Sequence, residues 1–76
     1  MRRLSGGTDG PEWRLSLREA QVLALVCGGC SNKEIAALLG LTPGTAGTYV
    51  ARLARAVGAR NRVQLAMWGL EWRKAA

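Results

Sequence analysis

The sequence predicts an all-α domain: a four-helix bundle in which the second and third helices form a helix-turn-helix. Three observations carry that expectation. Apolar residues recur at helical spacing in successive stretches, and no strand pattern is visible. Each stretch is preceded by a side chain suited to helix capping: Ser16, Ser31, Thr42 and Asn61. Glycines stand where three of the helices should end, at Gly28-Gly29, Gly40 and Gly58.

The first helix spans Ser16 to Gly28. Ser16 and Glu19 have the spacing of a capping box, in which each side chain bonds the other residue's backbone N–H. Val22, Leu23 and Val26 make its apolar stripe, with Leu15 just ahead and Arg18 and Gln21 on the wet side. Ser31 and Glu34 repeat the box for a short second helix, whose Ile35, Ala36 and Leu39 face inward. Thr42 caps the third helix. Pro43 takes its first position, where a missing N–H has no consequence. Ala46, Val50, Leu53 and Val57 form one stripe of that helix. The opposite face carries Gly44, Thr48, Ala51, Arg52 and Arg55, so it begins with small residues and ends with arginines. Gly47 lowers helix stability by roughly 1 kcal/mol relative to Ala, which marks a packing concession or a place of close approach.

The fourth helix, from about Arg62 to Arg73, is apolar on two faces. One stripe is Val63, Ala66, Met67 and Leu70; the other is Leu65, Trp68 and Trp72. A helix so apolar should meet its own core with one face and a partner with the other. Periodicity does not choose between them. The stripe of Leu65, Trp68 and Trp72 is the expected dimerisation face.

Residues 1–12 are Gly-rich and polar and read as a flexible arm, with Arg2 and Arg3 able to reach a polyanion. Residues 13–76 form the single domain. Trp13 either joins the first helix or marks a contact surface. A chain of 76 residues builds only a small core, and 49% hydrophobic residues exclude a disordered one. No apolar run is long enough for a transmembrane helix and no signal-peptide pattern opens the chain, so a cytoplasmic location without membrane attachment is expected. The net charge of +6, from 11 Lys+Arg against 5 Asp+Glu, favours a polyanionic partner. From Ile35 onward Glu71 is the one acid, against Arg52, Arg55, Arg60, Arg62, Arg73 and Lys74.

Catalytic and metal chemistry have little support. Cys27-Gly28-Gly29-Cys30 is a C-x-x-C, which raises a redox pair or half a zinc site. A tetrahedral Cys/His zinc site needs a second Cys pair or histidines, and the chain has neither. The pair also straddles a helix C-terminus rather than opening a helix after a strand. The two cysteines therefore read as buried small hydrophobes. With no His, scattered acids, and Glu19 and Glu34 committed to capping, no enzyme activity, metal or cofactor is expected.

What remains is a helix-turn-helix with a basic surface, and its expected partner is double-stranded DNA. The N-terminal part of such a third helix lies near base edges in the major groove. Gly47, Thr48, Ala51 and Arg52 are the candidate base-reading residues. Thr48 can hydrogen-bond, Ala51 can touch a thymine methyl, and Arg52 can reach guanine. Asn32, Lys33, Thr45, Arg55, Arg60 and Arg62 are the candidate phosphate-binding residues. For Asn32 and Lys33 the backbone amides that open the second helix suit a phosphate.

These residues resemble a known family. Leu15-Ser16-x-Arg18-Glu19 with Val22-Leu23, then Ser31-Asn32-Lys33-Glu34-Ile35-Ala36, Leu41-Thr42-x-x-Thr45 and Asn61-Arg62 look like the LuxR-type (GerE/NarL-like) DNA-binding domain. The resemblance covers about Leu15 to Leu70, and SNKEIA at this distance from the Arg-Glu pair is specific. It implies a bacterial transcription regulator whose third helix reads the major groove and whose fourth helix forms a two-fold homodimer. RNA polymerase or another regulator is a further candidate partner. Members often carry an upstream receiver or ligand-binding domain; this sequence resembles the stand-alone members or an excised domain, and its starting Met favours a natural short chain.

The sequence also departs from the family. Members usually have Val-Lys after the threonine that matches Thr45, and often His two residues beyond; here the residues are Ala46-Gly47-Thr48-Tyr49. A groove-facing Lys is thus replaced by Gly47, and Ala51 stands where a long polar side chain is common. Base reading should lean on Thr48 and Arg52, giving modest selectivity and strong salt dependence. The alternative is a protein-interaction module: an antagonist that pairs through its last helix with another regulator and binds DNA weakly or not at all.

Overall fold

The computed structural model describes residues 15–75, four helices in the order expected: α1 Leu17–Cys27, α2 Asn32–Leu39, α3 Pro43–Val57 and α4 Arg62–Ala75. The arm and Trp13, with the readings attached to Arg2 and Arg3, lie outside the described residues. Helix α1 packs against α4 and α2 against α3, while α3 also touches α1 and α4. The bundle is therefore two helix pairs joined through α3.

The helix ends form as local side-chain chemistry dictates. Ser16 Oγ accepts the Glu19 N–H at 3.1 Å, and Glu19 Oε1 accepts the Ser16 N–H at 2.8 Å. The same reciprocal pair joins Ser31 and Glu34, at 3.1 and 2.7 Å. Thr42 Oγ1 accepts the Thr45 N–H at 3.1 Å, with Pro43 as the first helical residue. Asn61 caps α4 through Oδ1, which accepts the Gln64 N–H at 2.8 Å. Gln64 Oε1 answers by accepting the Arg60 N–H at 2.7 Å, one residue further out than a capping box would place it.

The first three helices end alike. Cys30 N–H donates to Leu25 O, Leu41 N–H to Ala36 O and Ala59 N–H to Ala54 O, each a bond reaching back five residues. Each closes over a glycine with positive φ, namely Gly29, Gly40 and Gly58 at 88°, 72° and 78°. This is the Schellman arrangement, which satisfies carbonyls that a helix end would otherwise leave unpaired. Because α2 ends this way and Thr42 immediately caps α3, the turn between them is only Gly40-Leu41-Thr42. That short turn fixes one helix relative to the next.

Between the helices lies a core of Val22, Leu23 and Val26 from α1, Ile35 and Ala36 from α2, Ala46, Val50 and Leu53 from α3, and Leu65 from α4. Each fully buried Leu, Ile or Val contributes about 1.5–3 kcal/mol. The expected stripes of α1, α2 and α3 are thus the buried ones, with Leu39 and Val57 half-buried at the margin. Among the described residues no helix is long and apolar enough to cross a membrane, and no group of three His, Cys, Asp or Glu side chains could hold a metal ion.

Helix α4 corrects the sequence-based assignment. Leu65, expected at a dimerisation face, is 0% exposed, and Trp68 and Trp72 are half-buried against the same core. The two indoles stack with centroids 6.1 Å apart. The stripe left in solvent is the other one: Val63, Met67 and Leu70 are 68%, 60% and 48% exposed. The reason lies in Gly69, which shares the inward side with Leu65 and Trp72. A methyl group there would stand 2.6 Å from Cys27 Sγ and 2.8 Å from Leu23 Cδ1. Its absence lets α4 settle onto α1, and that approach brings Leu65 and the tryptophans inward.

Three further side chains differ from expectation. Arg18 is half-buried rather than on the wet side, and its Nη1 donates to Leu39 O at 3.3 Å, at the C-terminal end of α2. A cation there suits the exposed carbonyls of a helix end. The cysteines are free and half-buried, and Cys27 Sγ donates to Ala66 O at 3.4 Å across the α1–α4 contact.

Candidate nucleic-acid interface

The third helix buries Ala46, Val50 and Leu53, which aims its opposite side at solvent. Gly44, Thr45, Thr48, Ala51, Arg52 and Arg55 are all exposed. Thr48, Ala51, Arg52 and Arg55 line one shallow depression on that side. Neither arginine forms an ion pair or a hydrogen bond with any described residue, so both guanidinium groups are available to an outside anion.

The two threonines are partly committed within their own helix. Thr48 Oγ1 donates to Gly44 O at 3.0 Å. Its single proton is spent there, which leaves lone pairs and a methyl group to face outward. Thr45 Oγ1 accepts from Thr42 Oγ1 at 3.0 Å, within the α3 cap, and keeps its own proton.

The start of α2 lies alongside. The capping box engages the N–H groups of Ser31 and Glu34, and the amides of Asn32 and Lys33 are first-turn donors without a partner inside the helix. The Lys33 side chain is exposed. Arg60 is exposed as well, in the loop before α4.

Gly47 and Arg62 take positions that sequence spacing did not reveal. Gly47 is half-buried at the edge of the outward face, and a methyl group on it would come to 3.2 Å of Asn32 Nδ2. The glycine is thus a site of close approach, and the approaching group is the carboxamide of α2. Arg62, expected on a phosphate, is half-buried and points inward. Its Nη1 donates to Asn32 Oδ1 at 2.8 Å and its Nη2 to Cys30 O at 2.6 Å. A planar guanidinium is suited to such a fork. The adjacency of Asn61-Arg62 in the sequence carries no information about a partner thirty residues away.

Two helices at a fixed turn, the second with a solvent face of small residues, threonines and arginines unpaired among the described residues, define a helix-turn-helix domain of the kind found in transcription regulators. The chain belongs to the family described as bacterial regulatory proteins, luxR family, which matches residues 14–69. It is 50% identical over 54 residues to "Response regulator RamR" of Streptomyces coelicolor, a match covering 71% of this chain and 27% of that protein. It is 39% identical over 69 residues to "Transcriptional regulatory protein MctR" of Rhizobium johnstonii, covering 91% of this chain and 30% of that protein. "Putative HTH-type transcriptional regulator YhjB" of Escherichia coli is 38% identical over 53 residues, 70% of this chain and 26% of that protein. The chain therefore spans between a quarter and a third of the length of these relatives.

Proposed function

We propose that this domain regulates transcription by binding double-stranded DNA with α3 in the major groove. The observation that carries this is the outward face of α3: its residues are exposed, free of core duties, and end in two unpaired arginines beside the start of α2. Thr48, Ala51 and Arg52 face base edges, with Gly47 at the rim. Lys33, Thr45, Arg55 and Arg60 meet phosphates, together with the amides of Asn32 and Lys33. Thr48, with its proton engaged on Gly44 O, reads as an acceptor or through its methyl. Such a surface is rich in phosphate contacts and poor in long polar readers, so selectivity is modest and affinity falls steeply with salt. Two copies join through the exposed α4 face of Val63, Met67 and Leu70, placing their reading helices about one helical turn apart on an imperfect palindrome.

Titration of labelled duplexes by fluorescence anisotropy tests the binding. Arg52→Ala is expected to weaken binding to a selected duplex by about 1–3 kcal/mol and to relax preference at one base pair. Unchanged affinity and preference would remove α3's outward face from the interface. For the dimer, sedimentation equilibrium of Met67→Glu is expected to show monomers at concentrations where the wild type pairs. A wild type already monomeric at high micromolar concentration would sink the two-fold arrangement. Retained pairing alongside absent DNA binding would favour an antagonist that acts through α4.

A further inference from the structure

We propose that Asn32 is a DNA-contacting side chain made available by Gly47, and that Arg62 is a positioning residue acting through it. The inference deepens the DNA-binding reading above and rests on it. Three side-chain facts lead there. Arg62 reaches from the first turn of α4 to Asn32 Oδ1 at 2.8 Å, and its second nitrogen is anchored on Cys30 O at 2.6 Å. The fork is held at both prongs, so the carboxamide it grips cannot swing freely. Because a guanidinium only donates, the atom it holds must be the carboxamide oxygen, which fixes the amide orientation and turns Nδ2 the other way. Nδ2 then lies over Gly47, where a methyl group would come to 3.2 Å.

The chemistry of the exposed group follows. An unconstrained Asn reads adenine with both ends of its amide, accepting and donating at once. Here the acceptor end is taken by Arg62, so Asn32 presents donors alone. Among the described residues no acceptor bonds Nδ2. Its ligand is an acceptor atom of DNA, a phosphate oxygen or an oxygen or nitrogen of a base edge. Gly47 supplies the room: any side chain at that position would lie between the amide and a duplex seated on α3. Removal of the side chain at 47 and fixation of the amide at 32 therefore act together. Arg62 carries charge without spending it on DNA, which separates it from Lys33, Arg52, Arg55 and Arg60.

Anisotropy titrations of the whole chain across a salt series test this on two probes, a random-sequence duplex and a duplex selected on the wild type. Asn32→Ala and Arg62→Gln are each expected to weaken binding about fivefold, the size of one ordinary hydrogen bond. The double variant should bind no worse than Asn32→Ala alone. Arg62→Gln should keep the wild-type slope of log affinity against log salt, because no phosphate contact has gone. Loss on both probes identifies a phosphate oxygen as the acceptor; loss on the selected duplex alone identifies a base edge. A slope shallower by about 0.9, persisting in the Asn32→Ala background, would make Arg62 a direct phosphate ligand and overturn the proposal. Gly47→Ala decides the matter even if Arg62→Gln fails to fold. The variant is expected to stay folded, as its melting transition will show, while the methyl displaces the held carboxamide and weakens DNA binding. Gly47→Ala protein that binds as tightly as wild type also overturns the proposal. A wild type that binds neither duplex brings down the DNA-binding reading itself, and this inference with it.

Discussion

Helices α3 and α4 each turn one side to the shared core and one to solvent, and the two solvent sides differ in the stripe of large apolar residues that α4 exposes and α3 does not. On α3 the solvent side carries Gly44, Thr48, Ala51, Arg52 and Arg55; on α4 it carries an apolar stripe of Val63, Met67 and Leu70 beside the exposed Gln64, Glu71, Arg73 and Lys74. The helices have similar lengths, 15 and 14 residues, and bury aliphatic residues on their inner sides. The difference therefore lies outside the requirements of folding. A face of small residues and arginines is suited to close approach by a polyanion, whereas an exposed apolar stripe is suited to another apolar surface. One bundle thus turns two surfaces of unlike chemistry to solvent.

Substitutions on the inner and outer sides of α4 give the sharpest way to break this comparison. Leu65→Ala should lower stability by about 2–5 kcal/mol in urea unfolding, since Leu65 is wholly buried. Met67→Ala at the same low protein concentration should change it by no more than about 0.5 kcal/mol. Equal losses would mean that the two stripes of α4 are misassigned. Gly69→Ala should follow at about 1–3 kcal/mol, because the methyl meets Leu23 and Cys27 in a packed contact. In a domain of this size each kcal/mol lowers the melting temperature by about 4–8 °C. Ser31→Ala removes one capping bond and should lower stability by about 1 kcal/mol. The smallest stability effect belongs to Arg55→Ala, within about 0.5 kcal/mol, although it should make the salt slope of DNA binding shallower by about 0.9. A large stability loss there would mean that the outward face of α3 has a folding role.

The parts of the fold that were legible in the sequence are those decided within one turn of chain. Ser16 with Glu19, Ser31 with Glu34, Thr42 before Pro43, and Asn61 announce helix starts because each capping bond spans three residues. The glycine stops are equally local. The stripes of α1, α2 and α3 were readable because each is one run of apolar residues at helical spacing, with Leu17 and Leu38 standing singly off it. On α4 two apolar stripes competed, and periodicity alone did not choose between them. The deciding signal was Gly69, whose missing side chain matters only against Leu23 and Cys27, more than forty residues away. Arg18 with Leu39 and Arg62 with Asn32 were hidden for the same reason: 21 and 30 residues separate the partners. Within the candidate site, the exposed residues of α3 followed from periodicity, while the carboxamide brought over Gly47 did not.

The outward side of α3 has one more consequence. Gly44, Thr48, Ala51, Arg52 and Arg55 are all exposed, and the one side-chain hydrogen bond among them runs from Thr48 to Gly44 O within the helix itself. Exchanging them leaves the inner stripe and the caps untouched, so most replacements are close to neutral for folding. The scaffold can therefore carry many surface combinations on this helix while the protein stays folded. Gly47 stands apart from this set: there the first added carbon would meet the Asn32 carboxamide of the neighbouring helix.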